Sequence, residues 1–148
     1  MKNKCIFLDI DGVLNCLGTL VRHFGFLGID PTLVKRFNRI IKETNAKVVL
    51  SSTWRHNPNW LTIMQKNGLI CEFLGRTDRL SGKFRGNSRG LEINKWLTDN
   101  PDKWDKYCIL DDDNDMLPDQ KLFQTTFKSG LTEKITQDII NYLNETKK

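Results

Sequence analysis

Lys4-Cys5-Ile6-Phe7-Leu8-Asp9-Ile10-Asp11-Gly12-Val13-Leu14 opens the chain with an apolar run that stops in two carboxylates and a glycine. Cys5 to Leu8 is too continuous for one-sided burial, so Lys4–Asp9 reads as a strand covered on both faces, the habit of a parallel sheet. Working outward, Lys47–Ser51 (KVVLS), Ile70–Leu74 (ICEFL), Tyr107–Asp111 (YCILD) and Leu122–Phe127 (LFQTTF) read the same way. Helical spacing fills the gaps between them. Asp30-Pro31 supplies a cap and a first-turn proline ahead of Leu33, Phe37, Ile40, Ile41 and Thr44. Asn57-Pro58 opens a second helix carrying Leu61 and Met64 to a stop at Gly68. Ser88 caps a third, with Ile93, Trp96 and Leu97 inward, and Thr132 starts a fourth through Ile135, Ile139 and Leu143. Strands alternating with helices, joined by right-handed crossovers, predict an α/β fold: an open parallel sheet of about five strands with helices on both faces. Sites in such sheets form at the carboxyl ends of the strands.

A length of 148 residues suits one domain, expected to span 1–148, and 39% apolar with 28% charged residues is a globular composition. Cys5 to Leu8 is too short for a membrane span or a signal-peptide core, so a soluble chain without export is expected. Cys5, Cys16, Cys71 and Cys108 show no CxxC spacing, and His23 and His56 are the only histidines, which disfavours zinc. Reduced thiols in a cytoplasmic setting are the expectation. The charge balance is 23 Lys+Arg against 18 Asp+Glu, a net +5. Asp9 and Asp11, then Asp111, Asp112, Asp113 and Asp115, concentrate acid at two points. A cation neutralising part of that acidity would leave a strongly basic remainder, suited to an anionic substrate.

Three strand ends carry the chemistry. Asp9 and Asp11, at i and i+2, leave the first strand on the same side, and Gly12 allows a tight turn after them. Like charges so close call for a cation or a proton between them, and Mg²⁺ suits an oxygen-rich site. The alternative is a surface turn with two solvated aspartates. The second strand ends in Ser51-Ser52-Thr53-Trp54-Arg55, whose hydroxyls and guanidinium could donate to phosphate oxygens; helix capping by Ser and Thr is the competing reading. Trp54 fits core packing better than substrate stacking. The fourth strand ends in Asp111-Asp112-Asp113-Asn114-Asp115. A calcium loop fails there, because Met116 replaces the required glycine and Leu122 the bidentate glutamate. One or both of Asp111 and Asp112 then complete a metal site begun by Asp9 and Asp11.

Taken together, hhhDxDGxL in Cys5–Leu14, the hydroxyl-ended strand at Lys47–Ser51, a later basic residue and hhhDD in Cys108–Asp112 resemble the haloacid dehalogenase (HAD) superfamily of phosphohydrolases. The resemblance covers nearly the whole chain. It implies a three-layer, Rossmann-like (HAD-like) sheet with Asp9 as nucleophile and Asp11 as general acid/base. Ser51, or Ser52 one residue on, becomes the phosphate-binding hydroxyl, with Gly12 and Arg55 beside the substrate. Mg²⁺ is the implied cofactor, held by Asp9, Asp11, Asp112 and Asp111. A basic residue must also bind the phosphoryl group. Arg89 is favoured over Lys83, Arg85 and Lys95, because Ser88-Arg89-Gly90 stands at a helix start, where backbone amides also favour anions; lysine is the commoner choice in the superfamily.

Neither Asn15–Ile29 nor Gly75–Asn87 is long enough for the cap domain that the superfamily usually inserts, so little or no cap is expected. An uncovered site admits a phosphate on a large molecule. Arg76, Arg79, Lys83, Arg85 and Arg89, against Asp78 alone, form a basic strip able to follow a phosphate backbone. VVLSSTWR, RGLEINKWL and CILDDDNDM are similar to the phosphatase-like domain of Swiss Army Knife RNA repair proteins and, more distantly, to the 3′-phosphatase half of polynucleotide kinase/phosphatases. No GxxxxGK[ST] loop accompanies them. RNA or DNA ends are therefore the leading substrate. A small-molecule, nucleotide-type phosphatase and a noncatalytic nucleic-acid-binding module with a structural cation are the alternatives. Phe24, Phe26, Trp54 and Phe84 could stack bases or serve only as packing.

Overall fold

The computed structural model describes residues 3–80 and 88–146. Five parallel strands make one sheet: β1 (Lys4–Leu8), β4 (Lys47–Leu50), β5 (Phe73–Arg76), β6 (Lys106–Asp111) and β7 (Leu122–Gln124), in the spatial order β5-β4-β1-β6-β7. Two further strands, β2 (Arg22–His23) and β3 (Phe26–Leu27), form an antiparallel hairpin in the segment between β1 and the first helix. The chain steps outward from β1 through β4 to β5, then crosses back to β6 on the other side of β1. That reversal is the topological switch point at which open α/β sheets form their crevice.

Side-chain alternation explains the unbroken apolar strands. Ile6 and Leu8 point into a core shared with α1 (Pro31–Thr44), α2 (Trp60–Lys66) and α4 (Glu133–Asn144), while Cys5 and Phe7 point the other way, to Ile93, Trp96 and Leu97 of α3 (Ser88–Asp99). The central strands are thus buried on both faces. Asp30 caps α1, its side chain accepting from the Thr32 N–H with Pro31 in the first turn, and Thr132 caps α4 by accepting from the Ile135 N–H.

The differences from expectation lie at element ends. The third strand of the sheet starts at Phe73 rather than Ile70. Gly68 holds φ 88, and Ile70 is exposed with its N–H on Asn38 Oδ1, so the backbone joins the sheet only after that detour. The last strand stops at Gln124, because Thr125 turns inward to bond β1's loop. Asn57 accepts from the Asn59 N–H in a turn, which delays α2 to Trp60 and leaves Leu61 exposed. Ser88 lies inside α3 rather than before it. All four cysteines are free. Among the described residues no helix is long and apolar enough to cross a membrane.

Phe7 is fully buried and meets the edges of Trp96 at 5.5 Å and Tyr107 at 5.8 Å. Phe7→Ala is predicted to cost about 3–5 kcal/mol, seen in urea unfolding as a lower midpoint at unchanged slope; a loss under 1 kcal/mol would contradict this packing.

Candidate functional site

The site follows from strand register. Leu8 pairs with Leu50 of β4 and with Leu110 of β6. The next residues along the three central strands are Ser51, Asp9 and Asp111, so one hydroxyl and two carboxylates stand in a row across the switch point. Their parity matches Val49, Phe7 and Ile109, all on the α3 side. The ladder holds this row in place: the Ser51 N–H donates to Leu8 O (2.8 Å) and the Asp9 N–H to Leu110 O (3.0 Å).

Asp9, Asp111 and Asp112 form a group whose ligand oxygens lie within 4.8 Å of one another. Asp9 and Asp111 are buried. Burial is the main cause that raises both carboxyls above their ordinary range; their proximity raises Asp9 further, and Arg89 opposes the shift in each. Asp9 Oδ1 accepts from the Ile10 N–H (2.9 Å) and Asp111 Oδ1 from the Asp113 N–H (3.0 Å), while Asp111 Oδ2 is buried without a hydrogen-bond partner. An orphaned oxygen beside two further carboxylates is a donor set suited to a hard divalent cation, and Mg²⁺ fits it.

Asp11, expected among the metal ligands, stands outside this group. The strand has ended by then: Val13 and Leu14 both donate to Ile10 O, so alternation gives way to a turn. Asp11 Oδ1 instead accepts from Asn15 Nδ2 (2.9 Å) and from the Trp54 indole N–H (3.2 Å). This leaves an exposed acid, fixed by two donors, at the mouth of the site. Gly12 has φ 80, and a Cβ there would run into the Asp112 carboxylate. Its place is therefore one of close backbone approach.

Arg89, in the first turn of α3, brings Nη1 to 3.5 Å from Ser51 Oγ. Gly90 makes that approach possible. Its N–H donates to Asp115 O (3.0 Å), its carbonyl accepts from Gln120 Nε2 (2.9 Å), and a Cβ would lie 2.7 Å from Leu117 N. The helix start is thereby pressed onto the loop that carries the second acidic cluster. Lys95 is engaged elsewhere, with Asp78 (3.2 Å) and Asp99 (2.7 Å) on the surface. Lys83, Arg85 and Phe84 lie outside the described residues.

Two expected substrate contacts are committed to the scaffold. Ser52 Oγ accepts from the Trp54 N–H (3.3 Å), capping a short 3₁₀ turn at Thr53–His56. Arg55, only 4% exposed, donates through Nη2 to both carboxylate oxygens of Glu92 (3.1 and 3.2 Å) and through Nη1 to Ser52 O (2.8 Å). Glu92 also accepts from the Leu80 N–H, and Arg76 donates to Arg55 O. Arg55 thus braces the end of β4 against α3 one turn beyond Arg89.

Sequence reading missed Asn15, Glu92 and Thr125. Asn15, wholly buried, accepts from the Gly12 N–H and donates to Asp11 and to Gly28 O. Thr125 Oγ1 donates to Gly12 O (2.6 Å) and its N–H to Asp111 O, tying β7 to both acidic turns. An amide four residues after Asp11 and an acid three after Arg89 were the available signals.

The family described as the HAD domain in Swiss Army Knife RNA repair proteins matches residues 5–135. The chain belongs to this family. Membership in the HAD domain family implies a phosphohydrolase fold, and the matched span includes every carboxylate of the site together with Ser51 and Arg89. No curated protein matches the chain.

Removing one partner of the buried pair strands the other charge. Glu92→Ala is predicted to destabilise this HAD domain by about 3–5 kcal/mol. Arg55→Met combined with Glu92→Leu should recover most of it. Denaturant titration of the three proteins checks this, and a single variant as stable as the parent would remove the bracing role.

Proposed function

We propose that the protein is a Mg²⁺-dependent phosphomonoester hydrolase working through an aspartyl-phosphate on Asp9, with a phosphate at the 3′ end of RNA or DNA as its substrate. The observation that carries this reading is the row Ser51, Asp9 and Asp111 facing Arg89, with Asp11 held separately at the mouth. On this reading Asp9 serves as nucleophile, Ser51 and Arg89 as the anion-binding pair and Asp11 as the second acid, and their separation suits a two-step displacement.

Each residue has a task in this reading. Arg89 and the Ser51 hydroxyl hold the phosphoryl oxygens, the guanidinium offsetting charge that builds as the bond breaks. An Asp9 oxygen attacks phosphorus, the Asp9–phosphorus bond forms, and the bond to the leaving oxygen breaks. Asp11 gives that oxygen a proton. In the second step Asp11 takes a proton from water as the water oxygen attacks phosphorus, which frees Asp9 and inorganic phosphate. Mg²⁺ bound by Asp9, Asp111 and Asp112 would supply positive charge to the transferring group. The Trp54 N–H and Asn15 orient Asp11 without burying it, so it remains open to both leaving group and water.

Nucleic acid is favoured for three reasons. The described insertion after β1 is a small hairpin rather than a cap domain, which suits a large substrate. The family is that of HAD domains in RNA repair proteins. Arg76 and Arg79 are exposed at and just past the carboxyl end of β5, which suits a backbone-tracking surface. Four free cysteines suit a reducing, cytoplasmic setting.

Release of phosphate from a 3′-phosphorylated oligonucleotide in Mg²⁺ is the direct test, with a free nucleotide monophosphate as comparison. Preference for the oligonucleotide is expected, and indifference would leave a nucleotide-type phosphatase instead. Asp9→Asn should abolish turnover. Asp11→Asn should slow an alkyl phosphate more than p-nitrophenyl phosphate, because only the poor leaving group needs the proton; equal losses would remove the acid from Asp11.

In the Asp9→Asn protein, addition of Asp112→Asn is predicted to weaken Mg²⁺ binding further by calorimetry. An unchanged affinity would place the ion elsewhere.

A further inference from the structure

The segment between β1 and α1 displays apolar side chains that the core does not use. Phe24 is 87% and Phe26 78% exposed. Phe24 has φ 49 and Gly25 φ 83, so both central residues of a two-residue hairpin turn are left-handed. Asn-Gly is the unstrained choice there, and a bulky aromatic in that region is a backbone outlier. Strain of this kind concentrates where a side chain has a task. The displayed ring meets His23 edge-on at 4.6 Å. His23 in turn lies tilted against Trp54 at 5.0 Å, and the Trp54 indole N–H donates to Asp11.

These residues wall a groove. Its volume is about 540 Å³, and it is lined by His23, Phe24, Phe26, Leu27, Trp54 and Phe127, with Asp11 also on its wall. Phe127 comes from the far side, after β7, and the Leu17 N–H donates to its carbonyl (2.9 Å), which joins that wall to the base of the hairpin.

We propose that this groove is a base-stacking subsite, seating the terminal nucleobase of a strand whose 3′-phosphate lies between Asp9 and Arg89. The inference rests on the phosphohydrolase reading above. Asp11 is the residue assigned to protonate the leaving oxygen, so the group attached to that oxygen is brought next to the groove that Asp11 also lines. The walls offer ring faces and aliphatic carbon, with Asp11 and His23 as the polar exceptions. Such a lining holds a flat ring by stacking and is tolerant of which base it is. The hairpin thus selects for a nucleotide next to the phosphate, whereas the carboxylate row recognises the phosphate alone.

The test separates this subsite from the chemistry. Binding of a dye-labelled, 3′-phosphorylated trinucleotide to the Asp9→Asn protein in Mg²⁺ is measured by fluorescence anisotropy, against the same strand with an abasic terminal sugar. Loss of the base is expected to weaken binding by about tenfold or more. Phe24→Ala with Phe26→Ala, added to Asp9→Asn, should bring the intact strand to the abasic level; both side chains are exposed, so folding is not at stake. Equal affinities for the two strands overturn the subsite. So does self-association that these two substitutions abolish while the base makes no difference, since the groove then seats a second copy of the chain. If the base contributes to binding yet the parent protein releases no phosphate, the subsite stands and the hydrolase reading falls. If the parent hydrolyses both strands with equal kcat/KM and binds both equally, the reverse holds.

Discussion

Parallel pairing in register is the constraint from which the site is built. Leu50, Leu8 and Leu110 lie side by side in three adjacent strands, so the residues after them must also lie side by side, on the opposite face. Hydrogen bonds from Ser51 to Leu8 and from Asp9 to Leu110 extend the ladder into those residues. A slip of one residue in either pairing would turn a polar group into the core on one side and withdraw it from the row on the other. The dry packing of both faces therefore defends the register, and with it the chemistry.

Assembling carboxylates this closely works against folding. Burial pushes Asp9 and Asp111 toward their protonated forms and the neighbouring Asp111 charge pushes Asp9 further, with the Arg89 charge in opposition. Two glycines make the crowding sterically possible. Gly12 clears room for the Asp112 carboxylate, and Gly90 lets α3 press on the Asp115 to Leu117 backbone, which brings Arg89 to Ser51. In each case a missing side chain permits a charged one to arrive.

Arg55 and Trp54 show how neighbours divide labour. Both follow the hydroxyl-ended strand, yet Arg55 turns inward to Glu92 and braces the scaffold, while Trp54 turns outward to orient Asp11 and wall the aromatic groove. The 3₁₀ turn capped by Ser52 sets this division by sending successive side chains to different sides. Rigid support thus lies directly beside the groove wall.

Five parallel strands, four helices with two of their caps at Asp30 and Thr132, and the gathering of acids at strand ends were legible in the sequence, because apolar periodicity and capping chemistry are local. The place of Asp9 beside Asp111 and Asp112 was also legible, through the order of motifs. The direction of Asp11 was not, since it depends on where β1 ends and on the Asn15 and Trp54 donors. Nor was the burial of Arg55, whose partner Glu92 lies 37 positions away on another element. Local pattern determines what kind of element forms and what chemistry it carries. Which side chain faces a ligand and which holds the frame is decided only when distant segments pack, because hydrogen-bond partners and burial are properties of the assembled fold.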